Sequence, residues 1–580
     1  MSAASFLETV VLVLVPVLPL VLAAGLLPRR WRGLVVRLAP WASLPSLIAA
    51  AVSSGTMLDL PWLLLGGRLG VDEVGQVFLF FTAVLWLLAG IYGRSYLAGD
   101  RRRVRFFAFY LLTMSGNLGL IVAQDTLSFY LFFALMSFSS YGLIVHKRDP
   151  QTLRAGRVYM YLVVLGEVLL FAGLVVGTWH AGTLSLDQFA DTSQCNLVIG
   201  LLLVGFGIKA GALPMHVWLP LAHPVAPTPA SVVLSGAIIK AGLLGWLRFL
   251  PLGQVALPEW SLLCITAGLG AAIYGVLVGL FQDEPKTVLA YSSISQMGLM
   301  TVGVGVGMAA PEIWPLCLSA VLIYALHHAL AKGALFLGVG VAAATGSGAI
   351  QRWSIVAGLL LPALALAGLP FTSGAVAKIG LKSLSYVLPA PWPDWMAVLL
   401  SLIAVGTTLL MARFLYLVWP QGSGPSRLTV GLWQPWGVLL FIVAFSIWLW
   451  PGASDAALRT LSVSEFWHAL WPAGVGAISA WTAWTLARKA NIKLAFRIPA
   501  GDILIAAQWL ADQLGRAWSF SVDRLRQHTR DRQFDWRRLV AGLGVFDRNW
   551  PLEIWFRRWD ICGMIFLSML MVIFVMLASA

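Results

Sequence analysis

The chain has 580 residues, of which 59% are hydrophobic and only 11% are charged, and its formal net charge is +14. Apolar runs of roughly 20 residues recur along its whole length, and a helix of that length crosses the hydrocarbon core of a bilayer. This pattern predicts an all-α polytopic membrane protein and excludes an ordinary soluble enzyme. The basic residues gather in the loops between apolar runs, so their surplus indicates membrane topology and argues against nucleic-acid binding.

The apolar runs predict about 16 transmembrane helices, fifteen in the main body and one, 561–577, near the C-terminus. Element boundaries predicted from a sequence are good to a few residues only. The fifteen spans are expected near 6–27, 33–52, 74–96, 104–123, 126–146, 158–178, 196–220, 229–250, 261–281, 290–308, 314–343, 355–380, 395–420, 434–451 and 469–488.

The charged loops predict an orientation for these spans. Arginines and lysines cluster after the first, third and fifth spans, whereas the even-numbered loops carry mostly acids. By the positive-inside rule the odd-numbered loops face the cytoplasm and the N-terminus lies outside. The first span has Glu8 before its apolar core and arginines after it, which favours an uncleaved span over a signal peptide. We therefore expect a multi-pass protein of a prokaryotic inner (cytoplasmic) membrane.

Cofactor chemistry finds no support in the sequence. The four cysteines, Cys195, Cys264, Cys317 and Cys562, are scattered and form no CxxC pair. This arrangement gives no iron–sulfur, haem-attachment or zinc signature. No glycine-rich phosphate loop stands between a strand and a helix either. The sequence thus predicts no catalytic residue, no cofactor and no metal in this chain.

The stretch Phe206–Phe249 is the most informative part of the sequence, because two of its apolar segments each contain a lysine, Lys209 and Lys240. A cation near the centre of a bilayer costs on the order of 2.5 to 3.5 kcal/mol on insertion scales, so such a lysine usually has a function. Pro214 removes a backbone donor close to Lys209, and a broken helix is tolerated where it lines a wet cavity or is buried in protein. These features favour an ion or proton path. A structural lysine bonded to a neighbouring helix is the alternative.

Other titratable groups lie within or beside apolar spans. Glu167 is an isolated acid in the sixth span, and a nearby lysine is its natural partner. His216 lies between the two lysines and could relay a proton, cap a helix or bond a carbonyl, as could His223. In the eleventh span Tyr324, His328 and Lys332 recur every four residues. That spacing places them on one helical face, where they could form a hydrogen-bonded chain for protons.

The twelfth span repeats the layout of the seventh, since Pro370 and Gly374 interrupt it just before Lys378. Matched broken helices in two halves of a chain are a pointer to repeated transport units. Lysine suits such a site chemically, because a desolvated lysine gives up its proton, whereas arginine remains charged.

After the fifteenth span the composition changes. Residues 491–558 alternate arginines and aspartates with aromatic and aliphatic residues, which predicts an amphipathic arm lying on a membrane surface or on partner subunits. The terminal span at 559–580 would anchor that arm.

Three motifs carry a family resemblance over about residues 75 to 420: HVWLPLAHPVAPTPASVVLSGAIIKAGLLGWLR, LAYSSISQMGLM and HHALAKGALFL. They resemble the antiporter-like, proton-translocating membrane subunits of respiratory complex I, of multi-subunit Na+/H+ antiporters and of energy-converting membrane hydrogenases, with the first motif most similar to the hydrogenase branch. The resemblance implies two inverted five-helix repeats that form paired half-channels, each with a broken helix. The proton-pathway lysines and histidine it implies are Lys209, Lys240, His328, Lys332 and Lys378.

The sequence departs from the family pattern in the fifth span. The family has an acid in a form like FWELMSLSSY, and this chain reads FFALMSFSSY, with Ala134 in the place of the glutamate. A lysine needs an opposing carboxylate to set when it holds its proton. We expect Glu167 to be the charge partner of Lys209, or a neighbouring subunit to supply the acid; alternatively, Glu167 only bonds a loop or a serine near its helix end.

The sequence predicts six regions and leaves three functions open. The regions are N-terminal peripheral helices (1–103), a first channel repeat (104–250), a second repeat (251–420), further peripheral helices (421–490), the arm (491–558) and the anchor (559–580). The leading function is proton translocation in a multi-subunit complex driven by a separate redox module. The alternatives are a cation/proton antiporter subunit and a proton-coupling partner of a soluble enzyme, as in inorganic-carbon uptake. Expected partners are other membrane subunits, protons or Na+, and the lipid bilayer.

Overall fold

The computed structural model describes residues 3–52, 55–192, 195–346, 348–419, 427–449, 458, 460, 462–489, 498–501 and 513. The chain divides into two compact units, residues 1–503 and 504–580, and of the second unit only Gln513 is described. The predicted arm at 491–558 lies almost entirely outside the described residues, and the predicted anchor at 559–580 lies wholly outside them.

The first half of the larger unit consists of helices joined by short turns, with one antiparallel β-hairpin. The hairpin pairs β1 (Met57–Leu60) with β2 (Gly67–Gly70). The helices are α1 (Ala3–Gly25), α2 (Arg32–Leu38), α3 (Leu44–Val52), α4 (Glu73–Tyr96), α5 (Arg103–Val122), α6 (Thr126–Ile144), α7 (Pro150–Ala181), α8 (Leu186–Thr192), α9 (Asn196–Ala210), α10 (Trp218–Val225), α11 (Thr228–Val233) and α12 (Lys240–Phe249).

A π-helical segment, Leu234–Ile238, joins α11 to α12. Within its described ranges the second half contains helices and connecting turns, and no strand. Its helices are α13 (Pro258–Leu280), α14 (Pro285–Ala309), α15 (Trp314–Ala343), α16 (Ala349–Ala367), α17 (Ser373–Leu384), α18 (Trp392–Val418), α19 (Val430–Leu449) and α20 (Val463–Lys489).

Polar residues at the loop ends fix where several helices begin. Asp72, Asp125, Asp149 and Thr372 each accept a hydrogen bond from the backbone N–H three residues later. Such a cap satisfies one of the donors that a helix N-terminus leaves free, and it contributes about 0.5–2 kcal/mol. The apolar run sets the length of each helix, and the capping residue sets its first turn.

Each of the fifteen spans predicted for the main body coincides with a helix or with a pair of helices in series. Within the described ranges, twelve helices are long and apolar enough to cross a membrane. The protein is therefore an all-α polytopic membrane protein with one small hairpin added. The count of sixteen spans and the inverted relation of the two repeats stay predictions.

The centre of the protein is more enclosed than its periphery. Of the most apolar window in Thr228–Phe249, 94% is buried inside the protein, against 28% for the window in Phe6–Gly25. A helix that is buried on all sides is sheltered from lipid by its neighbours. The segment that holds Lys240 is therefore an inner element, whereas α1 lies at the edge.

Two ion pairs and one histidine–aspartate hydrogen bond join loop ends that alternate crossing of a membrane would place on a common face. They are Asp72–Arg248 at 2.8 Å, Asp100–His146 at 2.8 Å and Asp283–Arg413 at 2.9 Å. The first joins ends next to even-numbered loops, and the other two join ends next to odd-numbered loops. The pairing agrees with an alternating path of the chain through the bilayer.

Candidate functional site

Both predicted helix breaks are present. In each broken helix, a glycine ends the segment that precedes the break. α9 ends at Ala210, and Gly211 then adopts φ +73°, in the left-handed region that favours glycine. The N–H of Ala212 donates to the carbonyl of Gly207 at 2.9 Å, which completes a Schellman motif. Pro214 lies three residues after Gly211, so the expectation that the proline makes the break is corrected. Gly211 ends the helix, and Pro214, which has no N–H, prevents an α-helix from resuming immediately.

The second break has the same backbone geometry. α16 ends at Ala367, Gly368 has φ +86°, and the N–H of Leu369 donates to the carbonyl of Leu364 at 3.1 Å. Gly374 lies in the first turn of α17, where a Cβ atom would stand 1.7 Å from the carbonyl oxygen of Ala365. The predicted interruption at Pro370 and Gly374 is therefore corrected too: Gly368 ends the helix, and Gly374 lets the next one approach.

Lys209 lies on the last turn of α9, beside the first break, and is 3% exposed. Its Nζ donates to the hydroxyl of Tyr159 on α7 at 3.3 Å and lies 5.6 Å from the ring centroid of Phe133. The Tyr159 hydroxyl in turn donates to the carbonyl of Ser137 at 2.8 Å. A bond to a neighbouring helix, the structural alternative considered for this lysine, is thus present.

Glu167 lies on α7, eight residues after Tyr159, and is 5% exposed. Its carboxylate and the ammonium of Lys209 interact electrostatically. The two side chains, both among the described residues, do not come within 4.0 Å as an ion pair, and Oε2 of Glu167 has no hydrogen-bond partner in the described part of the chain. The hydroxyl of Ser137 lies near the Glu167 carboxylate, but the two groups do not meet the geometry of a hydrogen bond. Ala134 on α6 is half-buried and offers no acid.

A tryptophan covers the backbone that the first break exposes. The indole N–H of Trp218 donates to the carbonyl of Ile208 at 2.8 Å, and its ring packs on that of Tyr159 with the centroids 5.3 Å apart. Buried carbonyls need such a partner when a helix ends inside a protein. The break is therefore held in place by the same tyrosine that contacts Lys209.

Lys240 is fully buried and begins α12 directly after the π-helical segment. The N–H of Ile239 bonds to the carbonyl of Leu234, so it does not bond to that of Ser235, as a regular α-helix would require. Nζ of Lys240 donates to that Ser235 carbonyl at 2.6 Å. The Ser235 hydroxyl lies 2.9 Å from the hydroxyl of Ser293 on α14, which ties the segment to that helix.

The two remaining predicted lysines also end on carbonyl oxygens. Nζ of Lys332 on α15 donates to the carbonyl of Leu289 at 2.8 Å, and Nζ of the half-buried Lys378 on α17 donates to the carbonyl of Ala367 at 2.7 Å. Within the described ranges, neither these lysines nor Lys240 has a carboxylate within 4.0 Å. A carbonyl stabilises an ammonium less than a carboxylate does.

Two neighbouring histidines of α15 connect the lysines electrostatically. Nδ1 of His327 lies 2.7 Å from the hydroxyl of Ser373 at the start of α17, and its ring lies in the fields of both Lys378 and Lys240. The ring of His328 lies in the fields of Lys240 and of Lys332. The three lysines thus form one electrostatic series through the protein.

The face of α15 that carries Tyr324, His328 and Lys332 does not form the expected hydrogen-bonded chain. Tyr324 donates to Oε1 of Gln296 at 2.8 Å, and Lys332 donates to a backbone carbonyl. Neither ring nitrogen of His328 bonds to any residue that the structure describes. The three residues share a face, as predicted, but Tyr324 and Lys332 bond to α14 and not to each other or to His328.

His216 and His223 lie in different surroundings. The ring of His216 is buried and packs edge-on against that of Tyr274, with the centroids 5.1 Å apart. The ring of His223 stacks on that of Phe336 at 4.6 Å and lies in the fields of Lys240 and Lys332. The structure therefore brings His223 into the lysine series.

The arrangement offers proton donors and acceptors in sequence, inside an apolar scaffold. Among the residues described, no three or more His, Cys, Asp or Glu side chains gather where a metal ion could bind. Lysine, histidine and glutamate can each take up and release a proton, and titratable groups of this kind inside membrane spans mark proton relays.

Comparison with known proteins gives a family for the central segment of the chain. Residues 123–410 match the family described as "NADH:quinone oxidoreductase/Mrp antiporter, TM". Hydrogenase-4 component B of Escherichia coli is 30% identical over 286 residues, which are 47% of this chain and 43% of that protein. The putative antiporter subunit mnhA2 of Staphylococcus saprophyticus is 32% identical over 418 residues, 65% of this chain and 51% of that protein.

Residues 123–410 belong to this family. All eight predicted site residues fall within the matched segment, from Glu167 to Lys378. The chain spans about half the length of the curated relatives it matches.

Solved structures agree on the fold. The Mrp complex of Dietzia sp. DQ12-45-1b contains a chain that superposes with a TM-score of 0.64 at 19% identity, covering 82% of this chain and all of that one. A chain of an archaeal membrane-bound sulfane sulfur reductase superposes with a TM-score of 0.62 at 19% identity, covering 80% of this chain and all of that one. The antiporter-like fold therefore extends beyond the family segment.

Sequence reasoning missed four polar residues that the structure brings to the site. They are Tyr159, Lys286, Gln296 and His327. Tyr159 lies in an apolar run, which gives no sign of a polar contact. His327 directly precedes His328, whose spacing from Tyr324 and Lys332 drew the prediction. Lys286 lies in a charged turn, which predicts an exposed loop. The polar run SSISQ gave a signal for Gln296, but a serine-rich helix more often indicates packing.

Proposed function

We propose that the protein is a proton-translocating subunit of a multi-subunit membrane complex of the complex I or hydrogenase type, driven by a redox module outside this chain. The observation that carries the proposal is the separated pair of Glu167 and Lys209 beside a helix break. The electrostatic series of Lys240, Lys332 and Lys378 supports it, because that series gives a proton somewhere to go.

The separated pair can act as a switch through distance alone. Two unit charges attract by roughly 4 kcal/mol at about 4 Å and by half of that at about 8 Å, for an effective dielectric constant near 20. A difference of about 2 kcal/mol changes the proton affinity of a lysine about thirtyfold. Small movements of α9 relative to α7 would therefore load Lys209 when Glu167 approaches and unload it when the two part.

Onward transfer uses the lysines that end on carbonyl oxygens. A proton released by Lys209 can pass into the buried series, where His327 lies in the fields of Lys240 and Lys378. Because no carboxylate traps the charge at these positions in the described ranges, each lysine can pass the proton on. The second break then places Lys378 next to backbone that is free of regular helix bonding.

Removing either break lysine tests the proposal. We expect Lys209→Ala and Lys378→Ala each to abolish coupled proton movement in membrane vesicles, while the protein remains inserted and assembled. Lys382→Ala is the matched control, because Lys382 lies on α17 four residues from Lys378, in the last turn of the helix. Normal proton movement in either break variant contradicts the proposal, and lost assembly supports a structural role for that lysine.

A cation/proton antiporter subunit is the second candidate. The mnhA2 relative and the Mrp superposition favour it. An Na+ gradient imposed on vesicles separates the two functions: an antiporter subunit moves protons in response to Na+ without an electron donor, whereas a redox-driven subunit requires the donor.

We also propose the prokaryotic cytoplasmic membrane as the location, with the N-terminus outside, and other membrane subunits as partners. Bacterial relatives and neighbours taken from multi-subunit complexes support this. Cys195 is exposed in an even-numbered loop, whereas Cys264 and Cys317 are buried. In a Cys562→Ser background, a membrane-impermeant maleimide added to intact cells should label the protein at Cys195, and labelling only after lysis would reverse the orientation.

A further inference from the structure

A fifth lysine points into the protein, from the loop end of α14. Lys286 lies in the first turn of α14 and is only 7% exposed. Its Nζ donates to the carbonyl of Ala226 at 2.8 Å, in the link between α10 and α11. The side chain therefore runs from the loop end of α14 towards the inner helices, and does not extend into water as most lysines do.

On its inner side Lys286 reaches the environment of His223. The ring of His223 is completely buried, and neither of its nitrogens bonds to any described residue. It lies in the fields of Lys286, Lys332 and Lys240, so this histidine is shared by the loop-end lysine and two lysines of the buried series. A buried polar group normally has a partner, and its lack here indicates a ring kept available for proton exchange or for water.

On its outer side Lys286 neighbours an acid. Glu284 is exposed to solvent at the N-cap position of α14, but its side chain makes no capping hydrogen bond. The neighbouring protein partly removes the hydration of this carboxyl group, which raises the pKa of Glu284 above the ordinary value. The positive charges of Lys286, and of Lys147 in the loop after α6, act in the opposite direction and do not cancel the rise. A free carboxyl group with that environment can collect protons closer to neutral pH than an ordinary glutamate.

The adjacent acid is different in kind. Asp283 forms an ion pair with Arg413 of α18 at 2.9 Å, and that arginine also donates to the carbonyl of Gln282 at 3.1 Å. Asp283 thus has a structural partner that ties the turn to α18. Two neighbouring carboxylates at one water-facing turn therefore have separate environments, one engaged and one facing a buried lysine.

We propose that Glu284, Lys286 and His223 form the entrance through which protons from the odd-loop face reach Lys240 and Lys332. The ammonium of Lys286 passes a proton to a ring nitrogen of His223, and the imidazolium passes it to an inner lysine. A hydronium ion at the odd-loop face then protonates the Glu284 carboxylate, which returns a proton to the Lys286 amine. Each step moves one proton and no electrons, and the groups return to their starting states. The inference rests on the proposed function, to which it adds the place where protons enter.

Neighbouring-acid variants test the entrance. In vesicles that contain the assembled complex, Glu284→Gln should slow proton uptake from the odd-loop face about tenfold or more, since a positioned acid–base group contributes at least that much. Asp283→Asn, the matched control, should remain within about twofold of wild type because its carboxylate is bound to Arg413. Equal rates in the two variants, whether both slow or both normal, overturn the proposal.

A titration of the carboxyl group itself separates this inference from the proposed function. The infrared carbonyl band that Glu284→Gln removes should titrate at higher pH in Lys286→Met than in wild type, because the ammonium that opposes protonation is gone. An unchanged titration midpoint overturns the entrance even if the protein translocates protons. If wild-type vesicles move no protons, the proposed function fails, and a shifted midpoint still supports the coupling of Glu284 to Lys286.

Discussion

The two broken helices use the same backbone device but carry their lysines on opposite sides of it. In the first, Lys209 lies two residues before Gly211; in the second, Lys378 lies ten residues after Gly368. Both glycines have positive φ and both close a Schellman motif. The backbone break is thus common to the two halves, whereas the titratable group is placed separately in each.

The partners of the two lysines differ more than the breaks do. Lys209 interacts with the Tyr159 hydroxyl and with the charge of Glu167. Lys378 donates to the Ala367 carbonyl and influences His327. The first break is therefore suited to holding a proton against an opposing charge, and the second to passing it on without one. The two breaks therefore differ in whether a charged group or a neutral group faces the lysine.

Disrupting the packing of the second break should have the largest effect on the protein. Gly374→Ala places a methyl group 1.7 Å from the carbonyl oxygen of Ala365, and backbone cannot yield by that much. We expect a loss of folded protein equivalent to about 3 kcal/mol or more, measured as membrane-inserted yield and thermal stability. Gly207→Ala, at the first break, is the control, because its nearest neighbour outside the helix lies 3.5 Å away, in ordinary contact. Similar yields for both variants would show that the second break is not packed as described.

Removing the tyrosine hydroxyl should have a smaller effect, confined to the first break. Tyr159→Phe keeps the ring over Lys209 and deletes two hydrogen bonds, one accepted from Lys209 and one donated to the Ser137 carbonyl. Losing the long bond to Lys209 should cost about 1 kcal/mol, or roughly fivefold in rate. Proton translocation should fall by about that factor with assembly unchanged. Tyr161→Phe changes an exposed tyrosine of the same helix and should leave the rate as it is. A complete loss in Tyr159→Phe would instead make Tyr159, and not Glu167, the main partner of Lys209.

The positions of the helices and of the buried lysines could be predicted from the sequence. Apolar length predicts each span because hydrocarbon thickness imposes it, and a lysine within such a run stands out against apolar neighbours. The stop at Gly211 could not be predicted in the same way. The chain has 56 glycines, and a left-handed conformation leaves no mark on the residue type.

Side-chain contacts between different helices could not be predicted from the sequence, for a second reason. Which side chain meets Lys286, and whether His327 or His328 faces Ser373, depends on the rotation and packing of α14, α15 and α17. The π-helical turn before Lys240 likewise shifts every later residue around the helix axis, so a regular 3.6-residue period misplaces them. Tertiary packing decides these details, and no local pattern records it.

The most direct test of the charge pair is proton translocation by Glu167→Gln in vesicles, next to Lys209→Ala and wild type. The substitution keeps the shape of the side chain and removes only its charge. If Glu167 loads and unloads Lys209, Glu167→Gln should stop translocation as fully as Lys209→Ala does, with the complex still assembled on native gels. A wild-type rate in assembled Glu167→Gln would contradict the charge pair at the first break.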